Sequence, residues 1–85
     1  MALSYDSKTS TFVAITTVDT SVANINWTAM GVELLDPNNL SFGAMNPDQN
    51  NSAMWTMLVQ NPTAGEWTAQ ANFQGNDNES GTCVI

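Results

Sequence analysis

The clearest pattern in the chain is an alternation of apolar and polar residues on either side of a short break. From residue 66 to residue 73 every second position is apolar, which is the period of a strand that buries one face. Those positions are Trp67, Ala69, Ala71 and Phe73. A similar run containing Trp55 lies upstream, and residues 61–65 between them carry a proline and a glycine that neither strand can continue through. The pattern predicts two strands joined as a hairpin or across a short corner.

Shorter apolar patterns predict further strands. The run at 11–19 is rich in β-branched residues, which favour strands. The apolar positions at 25–29 and at 32–35 differ in phase by one residue, so Gly31 between them predicts a β-bulge or a break. We expect weaker strands within residues 1–10, 40–45 and 82–85, and polar loops at 46–52 and 74–81.

Together these elements predict an all-β domain. No segment of useful length places apolar residues at helical spacing. Short strands separated by frequent turn residues are typical of small antiparallel sandwiches and barrels, and we expect about six to eight of them. A chain of 85 residues makes a single domain, residues 1–85, with a small hydrophobic core.

The charge balance excludes several classes of function. The net charge is −7, and Lys8 is the only basic residue. One cation cannot neutralise a row of phosphates, so we expect no binding to nucleic acid and no charge-driven binding to a membrane. No apolar run is long enough to span a membrane. The chain has no histidine, so no Ser/His/Asp or Cys/His set can form, and we expect no enzymatic activity.

Two pieces of sequence resemble a family of bacterial Ig-like β-sandwich modules, namely pre-peptidase C-terminal domains and the β-sandwich domains associated with von Willebrand A domains. The first is Val-Glu-Leu-Leu-Asp-Pro-Asn at 32–38, and the second is Val-Gln-Asn-Pro-Thr-Ala-Gly-Glu-Trp-Thr-Ala at 59–69. Trp27 stands where such modules often carry an aromatic residue, and Asn39 stands where they usually have glycine. The resemblance implies an Ig-like β-sandwich that acts as a non-catalytic accessory module, and it favours an extracellular location.

Turn-forming acids and amides suggest one candidate metal site. Asp36, Asn38 and Asn39 form a cluster of oxygen-bearing side chains, which Asp48 or Asn50 of the following loop would complete. Calcium prefers oxygen ligands of this kind, although the spacing is not that of an EF-hand. The alternative is that these residues only form turns, which Asp and Asn favour. A second acidic pair, at positions 77 and 79, offers the same choice.

The tryptophans suggest a second kind of site. Trp27 or Trp55, if exposed, would give a flat platform for a sugar ring, with Asn and Gln nearby to hydrogen-bond its hydroxyls. The alternative is that they belong to the core, as their apolar neighbours suggest for Trp55 and Trp67. We expect Trp67 to be buried and to pack against Val32 or Leu34.

Cys83 is the single cysteine, so no disulfide can form within the chain. It is a candidate thiol for an intermolecular disulfide, and the alternative is a small apolar residue in a terminal strand. The first residues have neither the basic start nor the apolar core of a signal peptide, and the sequence leaves the compartment open.

The function that these observations favour is association, with copies of the same chain or with a protein partner. The expected solvent-facing positions are neutral, and lysines that would guard a sheet edge against pairing are missing. They are Thr16, Thr17, Thr56, Thr68, Gln70 and Asn72. Strand addition at an open edge is the expected mode. The alternatives are a carbohydrate-binding module that uses an exposed tryptophan and a small secreted toxin or effector.

Overall fold

The computed structural model describes residues 1–16, 31–51, 53–72 and 79–85, and these residues contain eight β-strands. The strands are β1 (Ala2–Asp6), β2 (Thr11–Ile15), β3 (Gly31–Leu35), β4 (Ser41–Ala44), β5 (Asn46–Pro47), β6 (Met54–Leu58), β7 (Glu66–Asn72) and β8 (Glu79–Val84). The described residues contain no helix. The prediction of an all-β chain is therefore confirmed.

The strands form two antiparallel sheets. The first sheet has the order β1-β2-β6-β5, and the second has the order β4-β3-β7-β8. In immunoglobulin nomenclature these are the orders A-B-E-D and C′-C-F-G, which define an Ig-like β-sandwich. Each sheet turns one face toward the other, because inward-facing residues of both sheets share a single hydrophobic cluster.

The alternating segment that dominates the sequence forms a corner between the sheets, not a hairpin. Strand β6 lies in the first sheet and β7 in the second, so the chain changes sheet across residues 59–65. The indole Nε1 of Trp67 donates a hydrogen bond of 2.8 Å to the carbonyl of Thr63, four residues upstream. This contact fixes the corner in the way that a tyrosine hydroxyl does at the same position of immunoglobulin domains.

The two pieces of sequence behind the family resemblance meet at this corner. Gly65 has a φ of 138°, and a Cβ built on it would lie 2.7 Å from Cβ of Pro37. Only glycine allows both that backbone conformation and that approach. Gly65 also exchanges two backbone hydrogen bonds with Ile85, which ties the end of the chain to the same corner.

The core follows from the alternation along the strands. Phe12 is fully buried, and its ring lies between those of Tyr5 and Trp67, at centroid distances of 4.7 Å and 4.9 Å. Trp67 is 1 % exposed and belongs to the same cluster as Val32 and Leu34, which confirms its predicted burial. The cluster contains Leu3, Phe12, Ala14, Val32, Leu34, Met45, Trp55, Val59, Trp67, Ala69 and Ala71.

Several predictions of detail are wrong. Thr16 is not on a solvent-facing surface but is 8 % exposed, because it follows Phe12 and Ala14 on the inward face of the chain. Strand β5 lies in a segment predicted as loop, and β8 begins three residues earlier than predicted. The pairing of β3 with β4 shifts register between Leu34 and Leu35, where no bulge is predicted. The predicted strand at 25–29 lies outside the described residues.

Candidate functional site

The described residues contain no exposed tryptophan that could serve as the candidate sugar platform. Trp55 is 0 % exposed and packs in the core, so it has no face on which a sugar ring could stack. The prediction of a carbohydrate platform at Trp55 is therefore wrong, since residues 55, 57 and 59 point into the sandwich. Its Nε1 is buried without a hydrogen-bond partner in the described part of the chain. Trp27 lies outside the described residues.

The first half of the candidate calcium cluster forms a turn between β3 and β4. The Asp36 carboxylate accepts backbone N–H groups of Asn38 at 2.9 Å and Leu40 at 3.0 Å. Asn39 donates its backbone N–H to the Asp36 carbonyl and has a φ of 64°, a conformation that asparagine tolerates better than most residues. These contacts account for Asp36 and Asn39 without a metal.

The second half of that cluster forms a separate turn after β5. The Asp48 carboxylate accepts the backbone N–H groups of Asn50 at 2.8 Å and Asn51 at 2.9 Å. Within the described ranges, no three acidic or cysteine side chains lie close enough together to hold a metal ion. The calcium site remains a prediction, and what the structure assigns to Asp36 and Asp48 is the fixing of turns.

Glu79 has a structural role that the sequence does not reveal. Its carboxylate forms an ion pair of 2.8 Å with the amino group of Met1 and accepts a hydrogen bond of 2.8 Å from the Thr16 hydroxyl. Strand β8 thereby holds the start of β1 and the end of β2, which belong to the other sheet. Asp77, its predicted partner in a second acidic pair, lies outside the described residues.

Cys83 is half-buried and faces inward. It lies opposite Trp67 in the pairing of β7 with β8 and packs against the core cluster. This position suits a small apolar side chain in a terminal strand, which is one of the two alternatives given above for Cys83. Its role as an intermolecular thiol stays a prediction.

The edges of the two sheets offer little room for strand addition. Strands β1 and β8 lie side by side, so close that a Cβ on Gly81 would collide with the Met1 carbonyl. On the opposite side, β5 has two residues and includes Pro47. Strand β4 has four residues and pairs irregularly with β3. Short, irregular and mutually covered edges resist pairing with another chain, so strand addition is not the mode that the described residues support.

The outer face of the first sheet is the surface that stands out instead. The register places three rows of side chains across it: Ala2, Ile15 and Met54; Ser4, Val13, Thr56 and Asn46; and Asp6, Thr11 and Leu58. We call these ten residues the outer apolar face. Leu58 is 66 % exposed and Ile15 is 43 % exposed, and both are large apolar side chains.

Charge is almost absent from the outer apolar face. Asp6 is its single ionisable residue and lies at one corner, where its carboxylate accepts the backbone N–H of Lys8. Asp48 borders the face beside Met54, whose carbonyl accepts its backbone N–H, and the other acidic side chains in the described part of the chain lie elsewhere, at positions 33, 36, 66 and 79. Five of the ten residues are apolar, at positions 2, 13, 15, 54 and 58, and the central row is mostly polar. Exposed apolar side chains with little charge among them are a feature of protein-binding surfaces.

The outer face of the second sheet has a different character. Glu33, Gln70 and Ser80 lie in one row across it, and Thr68 and Thr82 lie in another. A shallow depression of about 230 Å³ opens there, lined by Gly31, Val32, Glu33, Ala44 and Gln70. Val84 is 75 % exposed at the rim of this sheet, next to Glu66. The two faces of the sandwich therefore differ in polarity.

Comparison with known proteins assigns no family to the chain. No family model, no curated protein and no solved structure matches it. Within the described residues, no helix has the length and apolar character needed to cross a membrane.

Proposed function

We propose that this chain is a non-catalytic β-sandwich module that works by association with protein, either a second copy of itself or a partner. The observation that carries the proposal is the outer apolar face, where Ile15, Met54 and Leu58 lie on one face of a sheet whose single ionisable residue, Asp6, is at a corner. Interface centres are depleted of charge, as this surface is, and Met54 is a residue type that interfaces favour.

The acidic side chains support a non-catalytic role. General acid–base chemistry requires carboxyl groups that point into a cleft and are free to exchange protons. Asp36 and Asp48 are occupied by the backbone of their own turns, and Glu79 is paired with the Met1 amino group. The shallow depression of the second sheet contains one carboxylate, that of Glu33, and no second ionisable group lines it.

The family resemblance supports the proposal at the level of the fold. Its two sequence pieces meet where Gly65 packs against Pro37, so they build one corner of the sandwich. The corner lies apart from the outer apolar face, and it orders the strands that carry that face. We propose that the chain is an accessory module of the same general kind as the pre-peptidase C-terminal and von Willebrand A-associated domains.

A matched pair of variants tests the proposal. Ile15→Glu places a charge in the outer apolar face, at a position that is 43 % exposed, and Val84→Glu places the same charge on a more open apolar position of the other sheet, which is 75 % exposed. Parent and variants would be immobilised at equal density and exposed both to the purified chain and to extract of the source cell. We expect a protein that the parent and Val84→Glu retain and Ile15→Glu releases. Retention of nothing by any form, or of the same proteins by all three, would contradict the proposal.

A further inference from the structure

We infer that the occupant of the outer apolar face is a basic amphipathic α-helix of another protein, which lies along β2 and β6 between two acidic side chains. This inference rests on the proposed function and names the kind of partner. A helix packed on one face of a sheet is a common layer arrangement in proteins. The described residues of this chain contain no helix, and Lys8 is its only basic residue, so the described part of a second copy offers no such element.

The apolar side chains of the face form a strip along its two central strands. Ile15 pairs with Met54 at one end of the strip, and Leu58 lies at the other end. Val13 lies in the row between them, and the two remaining positions of the strip are threonines. Each row therefore has at least one large apolar side chain. An amphipathic helix presents a narrow apolar stripe of this kind, with residues at intervals of three or four along one side.

The dimensions of the strip fit one helix. Strands β2 and β6 have five residues each, which span about 17 Å. A helix of about 11 residues has the same length, and its width with side chains is about 10–12 Å. It therefore covers β2 and β6 and reaches the neighbouring strands, which lie about 5 Å to either side. Interfaces between folded domains bury about 800 Å² on each partner, so the strip suits a single element better than a second domain.

Two acids flank the strip at diagonally opposite corners. Asp6 lies on β1, on one side, in the same row as Leu58. Asp48 follows β5, on the other side, and lies beside Met54. Each carboxylate accepts backbone N–H groups of its own turn, which holds it at its corner without neutralising its charge. A partner with a cation on each side of an apolar stripe complements this arrangement.

The positions of the two acids predict the spacing of the partner's cations. Met54 and Leu58 mark the two ends of the strip, and their separation along β6 is about 13 Å. A helix rises by that amount in about nine residues, which make about two and a half turns. Side chains at this spacing lie on opposite sides of the helix, as the diagonal arrangement of the acids requires. Side chains about seven residues apart lie on the same side.

Two synthetic peptides test the predicted helix. Both have about 16 residues, long enough to form a helix, with a leucine stripe and two lysines on a background of alanine and glutamine. The lysines are about two and a half turns apart in the first and about two turns apart in the second. We expect the parent to bind the first with a dissociation constant of about 10–100 µM, and the second at least about fivefold more weakly. Equal affinities, or no binding of either up to about 1 mM, would overturn the inference.

A matched pair of double variants tests the two acids. Asp6→Asn with Asp48→Asn removes both charges and keeps an oxygen that accepts the N–H groups of each turn. Glu33→Gln with Glu66→Gln removes two charges from strands of the second sheet, so the net charge changes by the same amount. We expect the first pair to weaken binding of the first peptide by at least about fivefold and the second pair to stay within about twofold of the parent. Equal losses would mean attraction by net charge alone and would overturn the inference.

Circular dichroism and a further variant locate the bound peptide and its conformation. Because the described residues of the protein contain no helix, a rise in helical signal on mixing reports the peptide. Leu58→Ser is expected to weaken binding of the first peptide by at least about fivefold, and Val84→Ser on the other sheet to leave it within about twofold. Binding without a gain of helix, or equal affinities of Leu58→Ser and the parent, would contradict the assigned occupant.

The failure of this inference can be told apart from failure of the proposed function. If the parent retains a protein that Ile15→Glu releases, and Asp6→Asn with Asp48→Asn binds that protein as tightly as the parent, the face has a partner of another kind and only the inference fails. If no protein depends on the face, both the inference and the proposed function fail.

Discussion

At the residue scale, the alternation of apolar positions determines which side chains are buried. Trp55, Trp67 and Ala69 are inside the sandwich, as the period of two predicts. Thr16 is the instructive exception, because its hydroxyl suggests solvent while its position, two residues after Ala14, places it inside. There it donates to the Glu79 carboxylate, a partner 63 residues away that no local pattern identifies. Polar residues that pair over such distances are the ones that sequence alone misplaces.

Replacement of Trp67 by alanine is expected to destabilise the fold severely. The side chain is 1 % exposed, touches Phe12 and Phe42, and holds the corner through its Nε1. Loss of a buried tryptophan costs about 3–5 kcal/mol, a large part of the stability of a domain this small. Gln70→Ala on the solvent side of the same strand is expected to change stability by less than about 0.5 kcal/mol. Chemical denaturation followed by circular dichroism compares the two variants. An unfolding midpoint of Trp67→Ala near that of the parent would show that the assignment of Trp67 to the core is wrong.

The two buried tryptophans are expected to respond differently to phenylalanine. Trp67→Phe removes a hydrogen bond of 2.8 Å and leaves the Thr63 carbonyl without its donor. Trp55→Phe removes an N–H that has no acceptor in the described part of the chain. Because a buried N–H without an acceptor is itself unfavourable, its removal offsets part of the stability that the smaller ring loses in packing. We expect Trp67→Phe to cost about 1 kcal/mol more than Trp55→Phe. Equal losses in denaturation experiments would mean that the Nε1 of Trp55 finds a partner in solution.

At the element scale, the sequence predicts most of the strands but not the sheet to which each belongs. The hydrophobic pattern around residues 54–73 fits a hairpin and a corner equally well. The observed corner depends on Pro37 from a distant turn, which packs on Gly65, and on the pairing of Gly65 with Ile85. The outer apolar face is missed for the same reason. Val13, Ile15 and Leu58 are separate apolar residues in the sequence, and only the register of β2 with β6 brings them together.

Gly65→Ala is expected to disrupt the corner. Its φ of 138° is unfavourable for alanine, and the new methyl group would lie 2.7 Å from Cβ of Pro37, on a rigid ring. We expect a loss of at least about 2 kcal/mol in the free energy of unfolding. Gly31→Ala is the matched control, because a Cβ there has nothing within 4 Å, and its effect is expected to stay within about 0.5 kcal/mol. Thermal unfolding of both variants is the measurement, and a Gly65→Ala chain as stable as Gly31→Ala would show that the corner relaxes freely.

At the scale of the whole molecule, acidity and association act against each other. Two face-to-face sandwiches have centres about 20 Å apart, since stacked sheets are about 10 Å apart. At that distance two charges of −7 repel by about 10 kcal/mol in water without salt. Dissolved salt removes most of this repulsion once the Debye length falls to about 8 Å. A dimer formed through the outer apolar face, one of the two forms of association proposed above, would therefore depend on ionic strength.

Such a dimer is consequently expected to strengthen as salt is added. Between about 10 mM and about 150 mM sodium chloride the Debye length falls from about 30 Å to about 8 Å, so we expect the dissociation constant to drop by at least about tenfold. An interface held by ion pairs would weaken over the same range. Leu58→Glu is expected to remain weaker than the parent at every salt concentration, because the buried charge has no partner across the interface. Sedimentation equilibrium at four ionic strengths provides the comparison. A dimer that dissociates on addition of salt would place the contact on charged residues of another surface, and the outer apolar face would lose its assignment.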